Sequence, residues 1–190
     1  MSPARSARDR LASIRSLTGT PPALDTATLP ADPVELFLTW LDEAVTAGAP
    51  EPRAMTLSTV DGDGLPDSRV LILKDVSEQG WTFASTASSR KGLQLADSPA
   101  AALGFWWQPV MRAVRVRGEV VEAPREEAEA DLAARGPDAR AAVAPGDWRL
   151  WHLRPARVEH WQGSPDRRHT RVVDVRGGQG WVREVTVGSE

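Results

Sequence analysis

The chain of 190 residues contains no cysteine and no tyrosine. The first absence excludes disulfides, thiolate metal sites and a cysteine nucleophile; the second removes any phenolic acid. Three histidines, His152, His160 and His169, show no HExxH-type spacing, so no metal is expected. Nowhere do about 18 apolar residues run together, and Arg5, Arg8 and Arg10 are not followed by the apolar core of a signal peptide. The expected location is cytoplasmic, away from membranes. With a net charge of −3 there is no basic field to attract nucleic acid. An anionic ligand must therefore meet a local cluster.

What is present is ordinary globular composition, 41% hydrophobic and 26% charged, which favours a packed domain over disorder. Residues 1–31, rich in Arg, Ser, Thr, Pro and Ala, read as a loosely ordered arm, and 32–190 as one domain. Asp32-Pro33 supplies an N-cap and a first-turn proline, and Val34, Phe37, Leu38, Leu41, Ala44 and Val45 recur at helical spacing up to Gly48. From Ala54 the period shortens to that of a strand. Asp61-Gly62-Asp63-Gly64 gives turn chemistry before the run Arg69, Val70, Leu71, Ile72, Leu73, Lys74.

A third strand is predicted over 81–85, a short helix opened by Ser88-Ser89-Arg90-Lys91, strands over 101–107 and 112–122, and a helix from Arg125 to Ala134. Residues 136–147 read as a connector with room for one helical turn. Strands at 154–162, 170–175 and 181–187 follow. The fold class is mainly β with flanking helices: six or more mostly antiparallel strands, closed into a barrel that removes exposed edges.

Two groups of residues carry chemistry. Arg69 and Lys74 bracket an apolar strand, and Ser88, Ser89, Arg90 and Lys91 follow one strand later at a helix start, where backbone N–H groups and the helix dipole favour an anion. The pattern suits a phosphate, although basic pairs at helix starts are more commonly solvated surface. The second group is Trp161-Gln162-Gly163 with Arg167, Arg168, His169 and Arg171. Guanidiniums can stack on flat rings or fork onto carboxylates, and His169 can exchange a proton near neutrality; a charged surface turn is the plain alternative. Trp106 and Trp107 read as barrel or interface packing, Trp40 as core, and Glu126, Glu127 and Glu129 as a solvated helix face.

In order and spacing these phrases, from Asp32-Pro33 and Glu51-Pro52-Arg53-Ala54-Met55 to Trp161-Gln162-Gly163 with Arg167, His169 and Arg171, resemble the pyridoxamine 5'-phosphate oxidase family over 32–187. The resemblance implies an FMN-binding split barrel working as a homodimer, with FMN at the interface. It assigns Arg69, Val70, Leu71, Ile72, Leu73, Lys74, Ala84, Ser85, Arg90, Lys91, Trp161 and Arg171 to FMN, with Arg90 and Lys91 at its phosphate. To a small-molecule substrate it assigns Lys74, Arg135, Arg167 and His169, the last two as the catalytic pair. The reaction implied is oxidation of a flat anionic substrate of the pyridoxamine or pyridoxine phosphate type, as in pyridoxal phosphate biosynthesis, with oxygen as electron acceptor and hydrogen peroxide released.

Three departures stand out. Asp131 and Ala139 occupy positions where the family binds phosphate through tyrosine and serine; a carboxylate there is unfavourable to a dianion unless Asp131 turns away or pairs with Arg135. Ala113 replaces a flavin-binding glutamine, and the stretch before Trp161 is shortened. Alternatives are therefore oxidation of a secondary-metabolite precursor, as in phenazine pathways, or a flavin- or deazaflavin-dependent reductase on the same fold.

Overall fold

A computed structural model describes residues 5–188; residues 1–4 of the expected arm and the last two of the expected domain lie outside the described residues. The elements in chain order are α1 (Ala7–Ala12), α2 (Pro33–Thr46), β1 (Ala54–Val60), β2 (Pro66–Ile72), β3 (Asp75–Ser77), β4 (Gly80–Thr86), α3 (Arg90–Asp97), β5 (Ala100–Trp107), β6 (Arg112–Glu122), α4 (Arg125–Ala133), α5 (Pro137–Ala141), β7 (Trp148–Gln162), β8 (Thr170–Gly177) and β9 (Gly180–Val187). All strand pairings are antiparallel, along the path β2-β1-β5-β6-β7-β4-β3, with β8 on β7 and β9 on β8.

Two features make this sheet a split barrel. First, β2 and β3 stand at opposite ends of the path, yet only Leu73 and Lys74 separate them. Three Cα steps span at most about 11 Å, so the ends of the sheet must curl together. Second, β7 divides one of its edges between two partners: Trp148–Leu153 pair with β4, and Arg157–Gln162 with β8. The ladder between β6 and β7 is irregular at Arg117/Gly118, the kind of extra residue that bends a strand. A Cβ on Gly118 would fall 1.8 Å from the Arg154 carbonyl oxygen, so only glycine permits that approach.

The helix α2 plugs the barrel. Asp32 Oδ1 accepts from the Val34 N–H at 2.8 Å, Pro33 fills the first turn, and Leu36, Phe37, Trp40 and Ala44 are all buried. Phe37 meets Phe105 at 5.0 Å and Trp81 at 5.9 Å between ring centroids, both edge-on. Burying these rings is a main source of fold stability at this end of the barrel.

The arm has internal structure and contacts. Ser6 and Asp9 form a reciprocal cap on α1. Farther on, Thr20 N–H donates to the Pro109 carbonyl at 2.8 Å, Gln162 donates to the Pro22 carbonyl at 3.0 Å, and Leu24 and Leu29 pack on the core.

Several strand limits differ from those read in the sequence. β3 is an additional strand, Lys74 falls past the end of β2, and β7 begins at Trp148 rather than Arg154. Trp107 is buried and Trp106 is 49% exposed, so the pair divides between core and surface.

Candidate active site

The first basic group assembles across the barrel's split. β2 side chains alternate, so Asp67 and Arg69 share a face. Arg69 donates to Thr59 Oγ1 at 2.5 Å and to Gln94 Oε1 at 3.1 Å, and pairs with Asp67 at 3.1 Å. Gln94 lies on α3 and Thr59 on β1, and both are buried. At the other side of the split, Ser85 Oγ on β4 lies 3.4 Å from Ser89 Oγ. Ser89 caps α3, its hydroxyl accepting from the Gly92 N–H at 3.3 Å. Thus α3 ties β1 and β2 to β4 and carries Arg90 and Lys91 at its first turn.

Charge in this group is partly balanced from within. Arg90 Nε is 3.1 Å from Asp67, whose carboxylate therefore bridges two guanidiniums. Burial acts to raise the Asp67 pKa, but the Gln94 hydrogen bond and the charges of Arg69 and Arg90 together hold it below the ordinary value. The Lys91 ammonium is shifted down by burial and then by the positive charge of Arg69. A helix leaves its first N–H groups without intrahelical acceptors. Two guanidiniums, an ammonium, hydroxyls and that helix start form a donor set that fits a phosphate monoester.

Lys74 lies beyond β2 and pairs with a carboxylate of α4. Its Nζ is 2.9 Å from Asp131 Oδ1 on α4, while Trp148 Nε1 donates to Asp131 Oδ2 at 3.0 Å. Asp131 does not pair with Arg135; Arg135 instead lays its guanidinium over the Trp148 ring, 4.5 Å from the centroid. Ala84 and Trp148 both pack on the small cluster of Ala123, Ala128 and Leu150. Ala139 sits in α5.

The second group stands on β7 and β8. Trp161 pairs with Arg171 across the strands and with Ala113 on β6, and its ring lies 6.2 Å from Trp106 and 4.8 Å from His169. The connecting turn is shaped locally: Asp166 accepts from Ser164 Oγ at 2.5 Å and from the Arg168 N–H at 3.0 Å. Arg167 has φ of 68°, a left-handed conformation that non-glycine residues adopt at a cost. Ser164 N–H donates to His169 Nδ1 at 3.0 Å. Below this turn the buried Glu159 carboxylate meets Arg115, Arg157 at 2.7 Å and Arg171 at 3.8 Å. Burial alone would raise its pKa, and the Arg115 hydrogen bond with the three positive charges outweighs that and lowers it.

Along the sheet path the two groups stand on separate strands. The β2 and β7 strands are four ladder steps apart through β1, β5 and β6, about 19 Å along the sheet at the usual strand spacing. Between them the outer face exposes Val70, Ile72 and Trp106. Asp67, Thr59, Gln94, Trp148, Asp131's bond to Lys74, Glu159 and Ser164 were not singled out as site partners by sequence reasoning. Only Asp67 carried a local signal, standing two residues before Arg69 on the same strand face.

Comparison with known proteins is consistent across sequence and structure. A family model described as pyridoxamine 5'-phosphate oxidase matches residues 41–162. A pyridoxine/pyridoxamine 5'-phosphate oxidase of Cupriavidus taiwanensis is 36% identical over 191 aligned positions, covering 84% of this chain and 90% of that protein. Its counterpart in Pseudomonas paraeruginosa is 38% identical, covering 85% and 91%. Among solved structures, PhzG of Burkholderia lata, in complex with tetrahydrophenazine-1-carboxylic acid, superposes with a TM-score of 0.80 at 24% identity, covering 89% of this chain and all of that one. An FMN-binding protein of Nostoc punctiforme gives 0.63 at 17% identity, covering 83% and 98%. At these identities the structural matches establish the split-barrel fold.

Proposed function

The chain belongs to the pyridoxamine 5'-phosphate oxidase family, whose members are FMN-dependent oxidoreductases, and from that premise we propose that it oxidises a small, flat, anionic substrate by two electrons, with oxygen as the final acceptor. The observation that carries this reading is the convergence of Arg69, Arg90 and Lys91 on the first turn of α3, a donor set suited to the phosphate of FMN.

Each part of the chain has a distinct task in this reading. Arg90 and Lys91 hold the cofactor phosphate, the 69–74 segment with Ala84 and Ser85 lines its ring side, and Trp161 and Arg171 complete the enclosure. Lys74 and Arg135 bind the far end of the substrate, and Arg167 and His169 orient its reacting carbon. FMN, when bound, accepts two electrons from the substrate, which also loses two protons; returned to oxygen with two protons, these yield hydrogen peroxide. The left-handed turn at Arg167 fixes where its guanidinium starts, and the His169 ring is held by the Ser164 N–H and by a tilted contact with the Trp161 ring, 4.8 Å between centroids.

The placement of the two groups on strands four ladder steps apart along the sheet favours a homodimer, in which Trp161, Arg167, His169 and Arg171 face the Arg69 and Arg90 cluster of a second copy. Val70, Ile72 and Trp106, at 68%, 41% and 49% exposure, supply apolar surface between the groups for such a contact.

The test is the visible spectrum of purified protein loaded with FMN, recorded without oxygen before and after adding pyridoxamine 5'-phosphate or partly reduced aromatic carboxylates. Bleaching by one of these, reversed by air with stoichiometric peroxide, is expected. Failure to bind added FMN, or flavin that no member of the panel reduces, sinks the reading.

A further inference from the structure

We infer that the end of the substrate meeting Lys74 carries a single negative charge, a carboxylate rather than a phosphate ester; this rests on the oxidase reading above and narrows its substrate class. Asp131 is held from two sides, by Lys74 Nζ at 2.9 Å and by Trp148 Nε1 at 3.0 Å. Its side chain is 17% exposed and that of Lys74 30%, so water screens the pair incompletely. Asp131 is thus a fixed part of the pocket wall.

Charge counting then separates candidate ligands. Lys74 and Arg135 contribute two positive charges and Asp131 one negative, a balance of plus one. A carboxylate neutralises that balance. A phosphate monoester, at about −1.5 to −2 near neutral pH, overshoots it and sets its oxygens against the Asp131 carboxylate. Rotating Asp131 away would strip the Trp148 N–H of its acceptor, which costs free energy in a half-buried place.

Arg135 adds an independent indication. Its guanidinium is stacked on Trp148, and its Nε is buried with no hydrogen-bond acceptor, an arrangement native structures seldom leave unfilled. A planar carboxylate meets the guanidinium fork with two parallel hydrogen bonds, so one acceptor group both satisfies Arg135 and balances Lys74. Ala84, which packs on the same small cluster as Trp148, joins this corner to the strand assigned to the flavin.

The experiment uses full-length, FMN-loaded protein and three ring-matched ligands that cannot be oxidised: deoxypyridoxine, its phosphate ester, and the analogue with a carboxylate in place of that ester. Dissociation constants come from calorimetry. In the unaltered protein the carboxylate is expected to bind about tenfold or more tighter than the phosphate. Asp131→Asn, which keeps an acceptor for Trp148, is expected to remove or reverse that preference without changing FMN content. Tighter binding of the phosphate in the unaltered protein, a ratio untouched by Asp131→Asn, or binding of none of the three overturns the inference. The unaltered protein's order decides the matter even if the variant fails to fold. Failure of the oxidase reading shows elsewhere, as loss of flavin binding or of flavin reduction; repeating the titration on FMN-free protein reads the Lys74 corner alone.

Discussion

The backbone N–H of Ser164 donates to Nδ1 of His169 across 3.0 Å, so the neutral imidazole must carry its proton on Nε2. His169 therefore presents a donor, and gaining a second ring proton would require giving up the Ser164 bond. Its part in the proposed oxidation is to hold an acceptor atom of the substrate rather than to remove a proton. Side-chain nitrogen NMR is expected to show the Nε2-protonated tautomer for the neutral His169 ring. The opposite tautomer would remove the donor role. His169→Gln is expected to lower kcat/KM by about tenfold to a hundredfold while FMN content is unchanged.

His160, on β7, sits in an unlike environment. It is fully buried, its ring meets Trp40 edge-on at 5.1 Å, and neither ring nitrogen has a partner. Burial first, then the charges of Arg183 and Arg112, press its pKa from 6.5 to about 3. In the unfolded chain it takes up a proton below pH 6.5, and in the folded chain only near pH 3. Its contribution is therefore complete above pH 6.5 and is lost as the pH falls from there toward 3, at about 1.4 kcal/mol per pH unit. His160→Phe keeps the edge-on packing and removes that loss. Urea unfolding of both proteins at a series of pH values is expected to show the variant gaining on the parent as pH falls through this window. Parallel curves would refute the assignment.

Much of the fold was readable because its signals are local. The Asp32 cap, the first-turn Pro33 and the buried stripe of Leu36, Phe37 and Trp40 lie within one helix. β7 begins six residues before the expected Arg154 and runs straight through Pro155, a residue that central strands rarely hold. In the structure Pro155 lies opposite Gly118 at the ladder's irregularity, where a missing N–H costs little. β3 is three residues long and has no pattern to read. The site was legible in residue types and not in pairing: Lys74, held to β4 through Thr82, meets Asp131 because α4 packs on β7 beside β4, and nothing in the spacing of the two residues announces that contact.

Gly92 ties helix packing to cofactor binding. A Cβ there would stand 2.3 Å from the Ala87 carbonyl oxygen and 2.7 Å from that of Thr86, both backbone atoms that cannot swing aside. Gly92→Ala must therefore push the first turn of α3, with Arg90 and Lys91, away from β4. A loss of about 1–3 kcal/mol in stability is expected from such overpacking, with FMN affinity falling about tenfold because the cationic groups are displaced. Gly136→Ala, whose Cβ would meet nothing within 4 Å, is the control. Fluorescence titration of FMN and thermal melting measure both effects, and equal behaviour of the two variants would show that α3 does not need this close approach.

Asp67 sets how available the arginines are. Its carboxylate bridges Arg69 and Arg90, each at 3.1 Å, and Gln94 Nε2 reaches it at 3.4 Å. A phosphate entering the α3 cradle must share those guanidiniums with a like-charged group, so Asp67 orients the arginines while weakening the net field they offer. Replacing it with Asn retains an acceptor and removes the repulsion. Because Arg69 remains anchored by Thr59 and Gln94, the loss of orientation falls mainly on the exposed Arg90. The charge effect should exceed that loss at low salt, where screening is weak: Asp67→Asn is expected to bind FMN about threefold to tenfold tighter in dilute buffer, with the gain shrinking as salt is added. The same variant should bind riboflavin, which lacks the phosphate, no better than the parent. Weaker FMN binding at every salt concentration would mean that orientation of Arg90 by Asp67 outweighs repulsion, and an equal gain for riboflavin would place the effect away from the phosphate altogether.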